Sequence, residues 1–186
     1  RCGAILAQTA RPRRRDQSRV PMGRRPPSVA LQQLARIEAG LRKPQPTRTG
    51  DRSSVVAAIV RQPAIRPVAS KGDDGLDLLF ILRGGSTDPQ KGSRWSGQVA
   101  FPGGHVEEGE TDLQAVAREC REEVGIEDLE GPNYRVLGRV ADRSVYRTEK
   151  KSSLLVRCYV VEQLVHEPLT ADPAEVAACG WAPLRS

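Results

Sequence analysis

The sequence predicts an α/β domain, because apolar runs typical of buried strands are separated by one clear amphipathic helix. Apolar runs cover residues 54–60 and 76–82, the second interrupted by Asp77, and a third, strongly apolar run covers 153–161. Between the second and third runs, residues 112–124 repeat apolar side chains at helical spacing. A chain of 186 residues is long enough for one such domain with a substantial core.

The positive charge of the chain is concentrated in its first 50 residues. They carry twelve Lys and Arg against two acidic residues, whereas the remainder carries seventeen against twenty-one. The basic character therefore does not indicate a domain that binds specific nucleic acid. Residues 1–27 are rich in arginine and proline and poor in apolar side chains, which is typical of a disordered leader. Residues 28–41 then predict a short helix within this basic segment, 1–50.

An intracellular location is the simplest prediction. The arginine-rich, acid-poor leader has the composition of a mitochondrial targeting peptide, although its prolines interrupt a continuous amphipathic helix. We expect an intracellular protein, for which a mitochondrial or a peroxisomal location is possible and the cytoplasm is the alternative. The four cysteines are widely spaced, which favours a reducing compartment and disfavours a zinc site. No apolar run reaches the 18 residues that a transmembrane helix needs.

The folded domain is predicted to span residues 53–186, after a linker at 43–52 that contains proline and threonine. Its first two strands are predicted at the apolar runs 54–60 and 76–82. Further strands are predicted at 98–101, 134–140, 153–161 and 179–182.

The segment 112–124 predicts the helix most clearly. Thr111 is a candidate N-cap with Gln114 completing a capping box, and Gly125 stands where a left-handed C-terminal residue is needed. At about 100° per residue, one side of this helix is an apolar stripe. The stripe consists of Leu113, Val116, Ala117, Cys120 and Val124.

A second stripe on the same helix is acidic. Glu119 is three residues before Glu122 and four before Glu123, so these two pairs of charges repel and each destabilises an isolated helix by about 0.2–0.5 kcal/mol. A divalent cation would reverse this penalty, and Mg²⁺ and Mn²⁺ prefer such oxygen ligands. The alternative is a solvated acidic face on which Arg118 and Arg121 form ordinary surface pairs.

The spacing of the whole segment distinguishes these two interpretations. Gly104 is followed by Glu110, by Arg118-Glu119, by Glu122-Glu123 and by Gly125-Ile126. Agreement at every one of these positions is improbable by chance. The segment resembles the Nudix box of the Nudix hydrolases, with Cys120 in the place of a general apolar residue.

The resemblance implies an α/β/α sandwich around a mixed β-sheet. It also implies an enzyme that hydrolyses a pyrophosphate bond in a nucleoside diphosphate derivative, with Mg²⁺ or Mn²⁺ as cofactor and a small nucleotide-type molecule as substrate. A Nudix domain usually continues with a helix after its last strand. Because the chain stops at Ser186, we expect that a C-terminal piece is missing. The sequence does not predict an oligomeric state.

The same resemblance assigns roles to residues. Glu119, Glu122 and Glu123 would be metal ligands and catalytic residues, since one of them, or a water held by them, would prepare the nucleophile. Gly104 would bring its backbone close to a metal. Glu110 and Arg118 would pair as a structural brace between loop and helix.

A narrower resemblance extends upstream of the box. Residues 95–104 contain Gly97 and the run Phe101-Pro102-Gly103-Gly104, which is similar to the coenzyme A diphosphatases of this family. That subgroup cleaves coenzyme A into 3′,5′-ADP and 4′-phosphopantetheine. Residues 84–93 and 105–110 depart from the subgroup, so ADP-ribose, a dinucleotide or another nucleotide stays an alternative substrate. A non-catalytic nucleotide-binding module is the second alternative, which the intact set of glutamates disfavours.

Several residues outside the box are candidates for contact with the substrate. They are Arg83 at a predicted strand end, Arg94 and Phe101 around the glycine-rich stretch, and Lys150 or Lys151 before a later strand. For the basic residues, a solvated charge is the alternative. An additional carboxylate from a late loop would come from Glu167 or Glu175.

Overall fold

A mixed sheet of eight strands lies between two helices in a computed structural model of the chain, which describes residues 28–43, 53–63, 75–85, 96–147 and 152–184. The helices are α1 (Val29–Gly40) and α2 (Asp112–Val124). The strands are β1 (Ser53–Arg61), β2 (Asp77–Arg83), β3 (Val99–Ala100), β4 (Gly103–His105), β5 (Tyr134–Arg139), β6 (Arg143–Arg147), β7 (Ser152–Gln163) and β8 (Val176–Pro183). The predicted α/β/α sandwich is confirmed.

Strand β1 is the centre of the sheet. One of its edges pairs in parallel with β7 along its whole length. Its other edge pairs antiparallel with β4 near the start and with β2 near the end. Strand β8 pairs with β2, and β3 pairs with the last residues of β2. The end of β2 therefore lies close to β4 and to the loop before β8.

Two apolar layers cover the two faces of the sheet. Side chains of β1 alternate between them, so that Val55 and Ile59 pack beneath α2 while Ala58 and Val60 pack beneath α1. This burial on both faces is why β1 is a continuous apolar run rather than an alternating one. Among the described residues, neither helix has the length and apolar character that crossing a membrane requires.

The predicted strands are all present, with ends that differ by up to three residues. Two further strands were not predicted. Strand β4 has the sequence Gly-Gly-His and contains no apolar pattern; its pairing with β1 makes it a strand. Strand β6 has the sequence Arg-Ser-Val-Tyr-Arg and pairs with the first half of β7.

The predicted helix at 28–41 is confirmed as α1, and it packs against the sheet. Ser28 caps it by accepting a hydrogen bond from the N–H of Leu31. Its apolar side carries Ala30 and Leu34, both buried in the layer opposite α2. The predicted leader at 1–27 and nearly all of the predicted linker lie outside the described residues.

Gln33 joins α1 to the strand ends of the sheet. Its Oε1 accepts a hydrogen bond from the N–H of Leu76 at 2.7 Å, and its Nε2 donates to the carbonyl of Leu184 at 3.1 Å. One side chain therefore holds the residues that precede β2 and follow β8 against the helix.

A buried ionic network anchors the start of α2 to the sheet. Arg157 on β7 donates to Asp112 at 3.0 Å, and the hydroxyl of Tyr159 donates to the same carboxylate at 3.1 Å. Asp142 adds a second carboxylate beside Arg157 and pairs with Arg139 at 2.9 Å. Asp112 and Arg157 are 2% and 5% exposed, so removal of one partner would leave an uncompensated buried charge.

We expect Gln33→Ala to lower the free energy of unfolding by about 1–3 kcal/mol, because it leaves two backbone groups without their partner. Urea denaturation followed by circular dichroism measures the change. Arg36→Ala, on the exposed side of α1, is the matched control and should have little effect. Equal stabilities of the two variants would contradict the role of Gln33.

Candidate active site

The structure of α2 follows the predicted start and end signals. The hydroxyl of Thr111 accepts a hydrogen bond from the N–H of Gln114, and the Gln114 side chain accepts from the N–H of Thr111. Gly125 ends the helix in the left-handed conformation, with φ of 72°. The apolar stripe faces the sheet, with Val116, Cys120 and Val124 buried.

The glycine pair before the box lies against the acidic side of this helix. Gly103 has φ of +148°, and a Cβ there would overlap the carbonyl of Val55 on the neighbouring strand. A Cβ at Gly104 would overlap the carboxylate of Glu119. The N–H of Gly103 donates to Glu123 at 2.7 Å. The backbone can approach the carboxylates this closely because neither residue has a side chain.

Arg118 connects the loop of the box to the acidic stripe. Its Nε and Nη2 donate to the two oxygens of Glu110 at 2.8 and 3.1 Å, and Nη2 also donates to the carbonyl of His105. Its Nη1 donates to Glu119 at 3.0 Å and to Glu122 at 3.1 Å. The hydrogen bond from Arg118 lowers the pKa of Glu110. The structure thus brings together the two residues expected to form a brace.

Glu123 is the most deeply buried of the three helix glutamates, with its side chain 1% exposed. Its Oε2 is bonded to Gly103, and its Oε1 lies 3.5 Å from Nη1 of Arg83. Burial raises the pKa of Glu123 to about 7, against the opposing effects of Gly103 and Arg83. Burial also raises the pKa of Glu119. Both carboxyl groups therefore lie in a site that is poorly solvated.

Of the two late-loop carboxylates, Glu175 lies at this site. The N–H of Gly84, directly after β2, donates to the backbone carbonyl of Glu175 at 2.7 Å. The negative charge of Glu175 contributes to the raised pKa of both Glu119 and Glu123.

Glu167 lies instead beyond the C-terminal end of α2, where it accepts hydrogen bonds from Asn133 at 2.6 Å and from Tyr134 at 2.9 Å. It lines a shallow pocket together with Gly125, which ends the helix. The sequence could not choose between Glu167 and Glu175, because it gives no geometry for the segment between β7 and β8 that carries both.

The other residues predicted to contact the substrate are not all at the acidic cluster. Arg83 is there, at the end of β2. Phe101 is not: its ring stacks on Phe80, with centroids 5.3 Å apart, and it packs against the apolar layer on the α1 side of the sheet. Phe101 therefore lies on the sheet face opposite the α2 carboxylates, and its contact with the substrate stays a prediction. Arg94, Lys150 and Lys151 lie outside the described residues.

The contact between Arg83 and Glu123 was not predicted from the sequence, and neither was the hydrogen bond from Gly103 to Glu123. The double glycine was a signal of close backbone approach, but it did not indicate which side chain would be approached. Ser54 and His105 form a surface hydrogen bond of 2.8 Å across β1 and β4, away from the carboxylates of α2.

The donor set of the site suits a hard divalent cation, since it consists of carboxylate oxygens beside the backbone of the half-buried Gly104. In the part of the chain that the structure describes, no three acidic, histidine or cysteine side chains converge on one point. The glutamates of α2 pair with arginines instead: Arg118 contacts Glu119 and Glu122, and Arg83 contacts Glu123.

Comparison with known proteins identifies the family. The family model described as the NUDIX domain matches residues 60–186, which is more than half of the chain. The chain belongs to the Nudix family. It is a Nudix hydrolase that acts on pyrophosphate bonds of nucleoside diphosphate derivatives. Helix α1 precedes the residues matched to the family, although it packs on the Nudix sheet. No curated protein sequence matches the chain.

Solved structures support the Nudix fold. The NUDIX domain of Shewanella oneidensis NrtR complexed with ADP ribose is 17% identical over 73% of this chain and 75% of that one, with a TM-score of 0.51. A MutT/nudix family protein from Enterococcus faecalis is 21% identical over 81% of this chain and 49% of that one, with a TM-score of 0.50. A Caenorhabditis elegans Ap4A hydrolase binary complex is 16% identical over 71% and 80%, with a TM-score of 0.49.

We expect Gly104→Ala to reduce hydrolysis by at least about tenfold, because the new methyl group must displace the carboxylate of Glu119. Turnover of the substrate and the midpoint of thermal unfolding should be measured together. Gly180→Ala is the matched control, since a Cβ there meets no atom within 4 Å. Full activity of the Gly104 variant would show that this close approach is not needed.

Proposed function

We propose that this Nudix hydrolase cleaves the pyrophosphate bond of coenzyme A with Mg²⁺ or Mn²⁺, releasing 3′,5′-ADP and 4′-phosphopantetheine. The observation that supports a metal-dependent reaction is the acidic cluster on one side of α2. Glu119, Glu122 and Glu123 lie on consecutive turns, with Glu175 contributing negative charge from the loop before β8. A bound divalent cation would neutralise the pyrophosphate oxygens and make water a better nucleophile.

The proposed ligands of the cation are Glu119, Glu122, Glu123 and the backbone of Gly104. The side chains are positioned by their helix, and the glycine is positioned by the pairing of β4 with β1. Arg118 would act as a brace, because its two hydrogen bonds to Glu110 fix the loop that follows β4 relative to α2. A preorganised set of this kind loses little energy to rearrangement during the reaction.

Coenzyme A is proposed because residues 95–104 are similar to the coenzyme A diphosphatase subgroup. Gly103 and Gly104 do not distinguish between substrates, because the close packing at both positions requires glycine whichever substrate is bound. The substrate proposal therefore depends on Gly97, Arg83 and Arg94. ADP-ribose is the second candidate, because the NUDIX domain of Shewanella oneidensis NrtR with the same fold was crystallised with that molecule.

We expect Glu122→Gln and Glu123→Gln each to lower turnover by about a hundredfold or more, because each loses a charged oxygen ligand while keeping its size. Steady-state rates with Mg²⁺ and circular dichroism spectra should be recorded for both. Glu127→Gln, which removes an exposed carboxylate just beyond the end of α2, should retain its rate. Unchanged rates in both site variants would refute the proposed ligand set.

Product analysis tests the substrate. We expect the wild-type chain with Mg²⁺ or Mn²⁺ to convert coenzyme A to 3′,5′-ADP and 4′-phosphopantetheine, and excess EDTA to abolish the reaction. Chromatography of parallel reactions with ADP-ribose and a diadenosine polyphosphate measures the preference. Faster cleavage of ADP-ribose would replace coenzyme A with the second candidate. No cleavage of any of them would favour a nucleotide-binding module.

A further inference from the structure

The two oxygens of the Glu123 carboxylate are held in different ways. Oε2 accepts a hydrogen bond from the backbone of Gly103 at 2.7 Å, and this contact is fixed by the sheet. Oε1 lies 3.5 Å from Nη1 of Arg83, which is an ion-pair distance longer than that of a good hydrogen bond. Because the carboxylate is 1% exposed, its charge needs a counter-ion from the protein or from a ligand.

Arg83 has a fixed backbone and a side chain that can reach solvent. Its N–H donates to the carbonyl of Gln98 at 3.0 Å, and its carbonyl accepts from Gly97 at 2.9 Å. The next residue, Gly84, is bonded to the backbone of Glu175. The Arg83 side chain is 33% exposed. The guanidinium group can therefore change partners while the end of β2 stays in place.

Arg118, the other arginine at the cluster, is held much more firmly. It makes two hydrogen bonds to Glu110 and one to the carbonyl of His105, besides its contacts with the acidic stripe. Moving Arg83 away from the carboxylates therefore costs less than moving Arg118. Among the described residues, the Arg83 side chain has one ion pair, its 3.5 Å contact with Glu123.

We propose that Arg83 exchanges partners during the reaction cycle: it is the counter-ion of Glu123 in the metal-free protein and contacts the pyrophosphate of the substrate once a divalent cation is bound. This inference rests on the proposed metal-dependent hydrolysis. A guanidinium group and a divalent cation repel each other when both contact one buried carboxylate oxygen. The displaced guanidinium finds a suitable partner in phosphate oxygens, which it can bind with two hydrogen bonds.

Arg83 would then have opposite effects on the binding of the cation and on the binding of the substrate. In the free protein, Arg83 competes with the cation for Glu123 and weakens metal affinity. In the complex, it strengthens the binding of the substrate. A residue that only maintained the fold would have neither effect, and an arginine that only bound the substrate would leave metal affinity unchanged.

The test compares the full chain with Arg83→Met, which keeps the length of the side chain and removes its charge. We expect the dissociation constant for Mn²⁺, measured by electron paramagnetic resonance without substrate, to fall at least about threefold. We expect KM for the substrate at saturating Mn²⁺ to rise about tenfold or more, with a smaller change in kcat. Arg121→Met, which removes an exposed positive charge from α2, controls for the general electrostatic effect.

Thermal unfolding with and without Mn²⁺ gives a second readout, which stays informative if the variant is less stable. Arg83→Met leaves the buried Glu123 without its counter-ion, so Mn²⁺ should raise its Tm by more than it raises that of the wild type. Arg83→Lys keeps the charge but loses the two-bond geometry, so it should resemble the wild type in Mn²⁺ affinity and show a raised KM.

The results separate this inference from the proposed function. No turnover of any nucleotide by the wild type would reject the function, while the Mn²⁺ measurements would still report the competition at Glu123. An active wild type, together with equal Mn²⁺ affinity and equal Tm shifts in Arg83→Met and Arg121→Met, would overturn the exchange. A lower Mn²⁺ dissociation constant with an unchanged KM would overturn the contact with the substrate.

Discussion

The close approach of the Gly103–Gly104 backbone to the carboxylates of α2 is the constraint on which the site depends. Gly103 lies against Val55 on the central strand and donates its N–H to Glu123. Gly104 lies against Glu119. Strand β4 thereby joins the sheet and the helix at the same place. Because this contact is made by backbone atoms held in a sheet, the carboxylates of Glu119 and Glu123 lie in a poorly solvated environment.

Poor solvation explains why arginines are so prominent around these carboxylates. A buried negative charge is costly unless a positive charge or hydrogen-bond donors compensate it. Arg118 compensates Glu119 and Glu122 while also pairing with Glu110, and Arg83 compensates Glu123. One arginine thus belongs to the framework of the box. The other reaches the site from a different strand, through a longer contact that is easier to break.

The framework extends beyond the residues matched to the family. Helix α1 precedes them, covers the face of the sheet opposite α2 and holds two strand ends through Gln33. On the other face, the network around Asp112 and Arg157 anchors the first residue of α2 to β7. The start of α2, and with it the acidic stripe, is therefore positioned by β7.

The sequence by itself determined the features that have a local cause. The caps of α2, its apolar and acidic stripes and the apolar runs of β1, β2 and β7 follow from short-range spacing, and the spacing of the box carries the resemblance to the Nudix family. The tertiary structure alone decided which distant residues meet. It placed Glu175 rather than Glu167 beside the cluster, paired Arg83 with Glu123, turned Phe101 toward the opposite face and made Gly103–His105 a strand. These outcomes depend on strand register and on packing between residues that are far apart in the chain, which no local pattern of side chains encodes.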